Sequence, residues 1–169
     1  MDYEGIRGDL EPLHNSIRQM SALSRDEFER LSRPAQLAFL INAYNAHALD
    51  MVVACWPVQR EFTIRRIRNR RNIMLIGQRW SLKSLSEHLM NYPYRTCRAF
   101  VLLNWGAKGC PELPPYALTS ANLEPMLATR MRYFFSDPGQ VRYDDKEHVL
   151  SISSMFHEYR KPIERNHTT

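Results

Sequence analysis

The residues best suited to chemistry gather around one cysteine. Cys110 stands in Trp105-Gly106-Ala107-Lys108-Gly109-Cys110-Pro111-Glu112-Leu113-Pro114-Pro115, whose glycines and prolines mark a loop. A thiol becomes a nucleophile when it is partly exposed, when nearby positive charge stabilises its thiolate, and when a base stands within reach. Lys108 supplies charge two residues away, and Gly106 and Gly109 leave backbone N–H groups free to turn toward an oxyanion. His88 is the candidate base, with Glu87 or Asn45 to orient it. Adjacent helical side chains point about 100° apart, so Glu87 and His88 do not face one point, which favours Asn45. Each residue also has a plainer role: Cys110 as a small buried apolar group, His88 and Asn45 as structural hydrogen bonders, Glu87 as a capping-box acid for Ser84.

Other chemistries find less support. Cys55, Cys97 and Cys110 are an odd number with no C-x-x-C pair, so neither a disulfide framework nor a zinc ribbon is written here, although one bridge remains open. Cys55 and Cys97 read as packing residues. None of His14, His47, His148, His157 or His167 stands at ligand spacing, and no metal or cofactor is expected. The substrate class stays open between a small molecule and a peptide.

The net charge of +5 is local, because residues 60–79 hold seven arginines against the single acid Glu61. Guanidinium groups cluster at Arg65, Arg66, Arg68 and Arg70, a pattern that meets phosphates, an anionic surface or an acidic partner, or simply faces water. Desolvation predicts that most of them point outward.

These residues need elements to hold them. A chain of 169 residues buries a real core, and the absence of repeats and Gly/Ser linkers predicts one domain over 3–160 with a tail at 161–169. No apolar stretch reaches the ~18 residues of a membrane span. Met1-Asp2-Tyr3-Glu4 has no basic region followed by an apolar run, which leaves a cytoplasmic protein or an exported form with its leader trimmed. Helices are predicted near 9–20 and 25–31. Ser32-Arg33-Pro34 then opens a long helix, 34–55, whose Leu37, Leu40, Ile41, Tyr44, Ala48, Met51, Val52 and Cys55 recur at helical spacing until Pro57. On it Asn45 and His47 flank the apolar stripe, and Asn42 and Asp50 turn further away. A hairpin turns at Gly77-Gln78, a helix follows from about Leu82 to Asn91, and Arg98–Asn104 reads as a buried strand. Thr119 opens another amphipathic helix, a second hairpin pairs 140–144 with 148–152, and a short helix closes near 153–160. Helices and strands do not alternate as βαβ units, so the fold class is α+β: predominantly helical, a small sheet containing 98–104 packed on a central 34–55 helix.

Four ordered blocks carry a resemblance: Leu37–Asn45 (LAFLINAYN), Ser81–His88 (SLKSLSEH), Asn104–Leu113 (NWGAKGCPEL) and Leu150–Arg160 (LSISSMFHEYR). Together they resemble the bacterial-type pattern of the domain of unknown function 547 family. The resemblance implies that Asn42, Tyr44, Asn45, Glu87, His88, Asn104, Cys110, Pro111, Tyr159 and Arg160 sit at pattern positions, and Lys108, Asn104, Tyr44 and Arg160 are the expected binding residues. Trp105 stands where bacterial members often have a cysteine, which weakens two-thiol chemistry. Plant relatives carry serine at the position of Cys110. Two functions follow: a thiol-dependent hydrolase or acyltransferase with Cys110 as nucleophile and His88 as base, or a non-catalytic domain whose Arg-rich face meets an anionic partner.

Overall fold

The computed structural model describes residues 2–57, 66, 68, 69, 73–91, 94, 96–107 and 109–167. Lys108, Arg65 and Arg70 lie outside them. In chain order the elements are α1 (Tyr3–Gly8), α2 (Glu11–Ala22), α3 (Arg25–Arg30), α4 (Arg33–Ala54), β1 (Ile73–Leu75), β2 (Gln78–Trp80), α5 (Leu82–Met90), a 3₁₀ helix (Cys97–Leu102), α6 (Leu123–Ser136), β3 (Val141–Asp144), β4 (Val149–Ile152) and α7 (Ser154–His167). The chain is predominantly helical α+β, as its patterning predicts. Residues 161–167, read from sequence as a tail, continue the helix of α7.

Helix α4 starts at Ser32, whose hydroxyl accepts from the Ala35 N–H, with Pro34 in the first turn where its missing donor costs nothing. The predicted stripe is buried except for Cys55, the half-buried C-cap, and so are Ala38, Ala43, His47, Asp50 and Val53 on its other sides. A helix apolar nearly all round belongs inside a fold. Helices α1, α2 and α5 pack against it. Asp50, expected to turn away, is therefore enclosed, 3.0 Å from His14 Nε2 on α2. The same composition makes α4 long and apolar enough to cross a membrane, against the sequence expectation, yet 67% of its most apolar window is buried within this fold.

Both predicted hairpins form. β1 and β2 pair antiparallel with Leu75 opposite Gln78, and the turn is Ile76–Gly77, one residue earlier than expected. Both turn residues have positive φ, the condition for a two-residue turn that matches strand twist. β3 and β4 pair with Val141 opposite Ile152. Among the described residues each sheet has two strands.

The predicted strand at 98–104 is the main correction. Cys97–Leu102 forms a 3₁₀ helix, and the chain extends only from Leu103. A short apolar run with both faces buried does not distinguish strand from helix by period, and neither hairpin pairs with it. Its burial was read correctly: Ala99, Phe100, Val101, Leu102 and Leu103 are all core, covered by α5, α6 and α7. Phe100 meets Phe134 of α6 at 5.1 Å and Phe156 of α7 at 5.2 Å between ring centroids.

Beyond the 3₁₀ helix the chain crosses α4 closely at Gly106, which has φ +78°, and a Cβ there would meet Val52 Cγ2 at 2.5 Å. Left-handed backbone costs a residue with a side chain about 1–2 kcal/mol before any clash. Gly106→Ala is expected to lower unfolding free energy by more than about 2 kcal/mol in chemical denaturation. Adding Val52→Ala should recover part of the loss, so that the double variant is milder than the sum of the singles. Strict additivity would mean that the close approach is relieved by backbone movement.

Candidate functional site

Two asparagines one helical turn apart on α4 build the site. Asn45 donates from Nδ2 to Leu102 O (2.8 Å) and accepts at Oδ1 from Asn104 N (3.0 Å). Asn42 does the same for Leu118, donating to its O at 2.8 Å and accepting from its N at 3.0 Å. The loop carrying Cys110 is thus pinned to one helix at both ends. Asn42, expected to turn outward, is half-buried because the loop lies over it.

Inside the loop, Asn104 donates to Pro111 O (2.7 Å) and accepts from Gly106 N (2.7 Å). Cys110 N donates to Ala107 O at 3.0 Å across a turn that Gly109, at φ +90°, completes. The Gly106 N–H foreseen for an oxyanion is therefore taken by Asn104. The thiol ends up half-buried at the edge of a cavity of about 530 Å³ that Arg130, Tyr133, Phe134 and Gln140 also line.

Behind Cys110 lies a buried polar cluster. Tyr44 is 0% and Tyr159 2% exposed, and Arg68, 2% exposed, pairs with Glu158 at 2.8 Å and lies 4.4 Å above the Trp105 ring. Trp105 thus seats a cation. Most of the Arg cluster was expected to point outward; Arg66 is exposed, and Arg68 is the buried exception.

Burial pushes Tyr44 up to about 12, against a downward pull from Arg68, with the charge of Cys110 adding to the rise. Burial also raises Tyr159 well above the usual phenol value, with Tyr44 and Cys110 adding to it. Burial pulls Arg68 down, but the phenols and the Glu158 carboxylate outweigh it and its pKa ends above the ordinary value. Tyr44 Oη interacts with both the Tyr159 hydroxyl and the Arg68 guanidinium, and among the described residues Tyr44 Oη, Tyr159 Oη and Arg68 Nε reach no further acceptor. Buried donors with so few acceptors are rare and mark function or strain.

The other sequence candidates sit elsewhere. His88 on α5 is half-buried between Trp80 (5.0 Å) and Tyr94 (5.6 Å), and burial alone lowers its pKa; a thiolate partner would instead raise it. Ser81 and Ser84 form the capping box of α5, so Glu87 is not its acid; it is exposed, 4.0 Å from Lys83. Glu87 and Arg160 line a separate cavity between α5 and α7, where Arg160 pairs with Glu164 at 2.6 Å. Tyr44 is a core phenol and Asn104 a loop fastener. Arg130 was missed, although a cation three residues after Leu127 and four before Phe134, on the apolar face of α6, was visible in the pattern. Among the described residues no cluster of His, Cys, Asp or Glu suits a metal ion.

Asn45→Ala leaves the Leu102 carbonyl and the Asn104 N–H unsatisfied, at about 1–3 kcal/mol for each buried group, a loss measurable by denaturant titration. A change under about 0.5 kcal/mol would mean that water replaces the amide. For His88 the folded-state pKa lies below the unfolded value near 6.5, so its stabilising contribution is complete above about pH 6.5 and is lost as pH falls through the folded value. His88→Gln is expected to shrink the drop in denaturation midpoint between pH 7.5 and 5. An unchanged drop would show that the ring is not held neutral by burial.

No curated protein and no solved structure matches the chain. One family model matches residues 28–135, a stretch that takes in α4 with both asparagines, α5 and the Cys110 loop and ends before α7, so Tyr159 and Arg160 fall beyond it. Because the match covers more than half of the chain, the protein belongs to the family described as Protein of unknown function, DUF547.

Proposed function

We propose that the chain is a thiol enzyme of the acyl-transfer type, with Cys110 as nucleophile. The observation that carries this is the convergence of the buried Tyr44, Tyr159 and Arg68 side chains, two of which feel the charge of Cys110, near one half-exposed thiol on a pinned loop. Buried hydroxyl donors and a guanidinium favour a neighbouring anion, and a thiolate is the anion this cluster is able to stabilise. Both phenols stay protonated at neutral pH because burial raises them, so they remain donors, and Arg68 reinforces them from behind.

Thiolate formation here needs no histidine beside the sulfur. The thiol proton leaves to solvent, and the sulfur forms a bond to the carbonyl carbon of an ester or amide while the carbonyl π pair moves onto oxygen. Collapse expels the leaving group, which takes up a proton, and leaves a thioester at Cys110. Water or another acceptor then attacks the thioester and the thiol is restored. Asn45 acts as a positioning residue through its hold on the loop. His88, closed in by two rings, has no part in this scheme, and the binder alternative loses Arg68 from its face.

Alkylation by iodoacetamide, read residue by residue by mass spectrometry, tests the proposal with Cys55 and Cys97, also half-buried, as internal comparators. Cys110 should react faster than both, with a pH midpoint below the ~8.5 of an ordinary thiol. Tyr159→Phe should raise that midpoint by roughly one unit, since each donor to a thiolate is worth about one to two pKa units. A midpoint at or above ~8.5 that Tyr159→Phe leaves in place overturns the proposal.

A further inference from the structure

The cavity that Cys110 lines contains a half-buried cation whose donors are only partly used by the described residues. The Arg130 side chain is 18% exposed, so it has lost most of its water. A guanidinium has five N–H donors in one plane. Of these, among the described residues, one makes a hydrogen bond, from Nη2 to Leu113 O at 3.1 Å. The nearest carboxylate, Glu112, stands 3.9 Å from Nη1, beyond hydrogen-bond distance, and its side chain is 92% exposed. A charge that exposed is screened by solvent and holds Arg130 weakly. Asp137, the other acid on the cavity, is exposed and accepts from Gly139 N at 2.8 Å. The covered charge in the cavity is therefore positive and the acids stand at its rim. Buried Phe134 and exposed Tyr133 give it an aromatic wall beside the cation.

We infer that this cavity receives a carboxylate-terminated amide, an acyl donor with an apolar or aromatic body, and that Arg130 recognises its carboxylate. A planar fork with free donors matches a carboxylate bidentately, and partial burial strengthens the pair relative to water. Glu112 is the competitor that the ligand displaces. Beyond the separate question of catalysis, the acyl-donor part of this assignment rests on Cys110 being the nucleophile; the carboxylate site itself does not.

Two measurements on the full, reduced chain separate these parts. The first is binding of benzoylglycine against benzoylglycinamide, followed by NMR. The acid should bind roughly tenfold more tightly than the amide, the size of one charge-assisted contact. Arg130→Met should abolish the preference and Arg130→Lys, which keeps the charge without the fork, should retain part of it. Glu112→Gln, a change at an exposed side chain, should strengthen acid binding because it removes the competitor. The second is the ratio of Cys110 alkylation rates with iodoacetate and iodoacetamide, which should fall in Arg130→Met. Equal binding of acid and amide, binding of neither, or a preference that survives Arg130→Met overturns the carboxylate site, however reactive Cys110 is. An inert Cys110 beside an Arg130-dependent preference for the acid overturns the thiol chemistry and leaves the carboxylate site standing.

Discussion

The Asn45 carboxamide accepts from the Asn104 N–H and donates to the Leu102 carbonyl, and so replaces the strand neighbour that this extended stretch lacks. A buried main chain must have its polar groups met, by a ladder, a side chain or water. Here the partner is one side chain on α4, a largely buried helix of 22 residues. Because Asn42 repeats the device for Leu118, the intervening loop leaves and rejoins the same face of α4. Its closure is then carried by local bonds: Asn104 to Pro111, Gly106 to Asn104, Arg130 to Leu113. A loop so held presents Cys110 with little conformational freedom, which is what preorganised chemistry requires.

The buried cation depends on that loop in turn. Arg68 has been taken out of water, and a single partner at Glu158 does not repay the desolvation of a guanidinium. The Trp105 face supplies a second interaction, and Trp105 stands where it does because Asn104, its neighbour, is fixed on both sides. Displacing the loop would leave the cation paired on one side alone. Loop and cation are therefore expected to behave as one cooperative unit, not as independent contacts whose contributions add.

The legible part of this fold was the part written in periodicity. The Ser32 cap, the step of three and four along α4 and the turn residues at Gly77 and Pro138-Gly139 each point to one local structure, and each element formed. The 98–104 run was misread because its burial on every side erases the alternation that separates strand from helix. The site was legible only by residue type. Asn45 and Cys110 stand out as unusual for their surroundings, but their partners, Leu102 and Tyr159, lie 57 and 49 positions away. Arg68 illustrates the limit. Its charge is shared with six neighbours in the 60–79 window, and the rings of Trp105, Tyr44 and Tyr159 and the Glu158 carboxylate distinguish it, none of them close in sequence.

Stability and chemistry make opposite demands on the cluster behind Cys110. Burying two phenols and a guanidinium costs desolvation free energy that apolar groups of similar shape would not. Well-packed phenylalanines at Tyr44 and Tyr159 would fill the same space with no buried hydroxyl. The fold tolerates the cost because its apolar core, Leu40, Ile41, Leu85, Leu89 and Leu102 among it, is fully buried. Arg68 and Cys110 both act on the buried Tyr44, and Arg130 lines the cavity that Cys110 lines, so positive charge gathers near the loop. That polarity is the property a thiolate needs, and it arises from tertiary contacts alone, which is why charge counted along the chain locates the excess at 60–79 rather than at the loop.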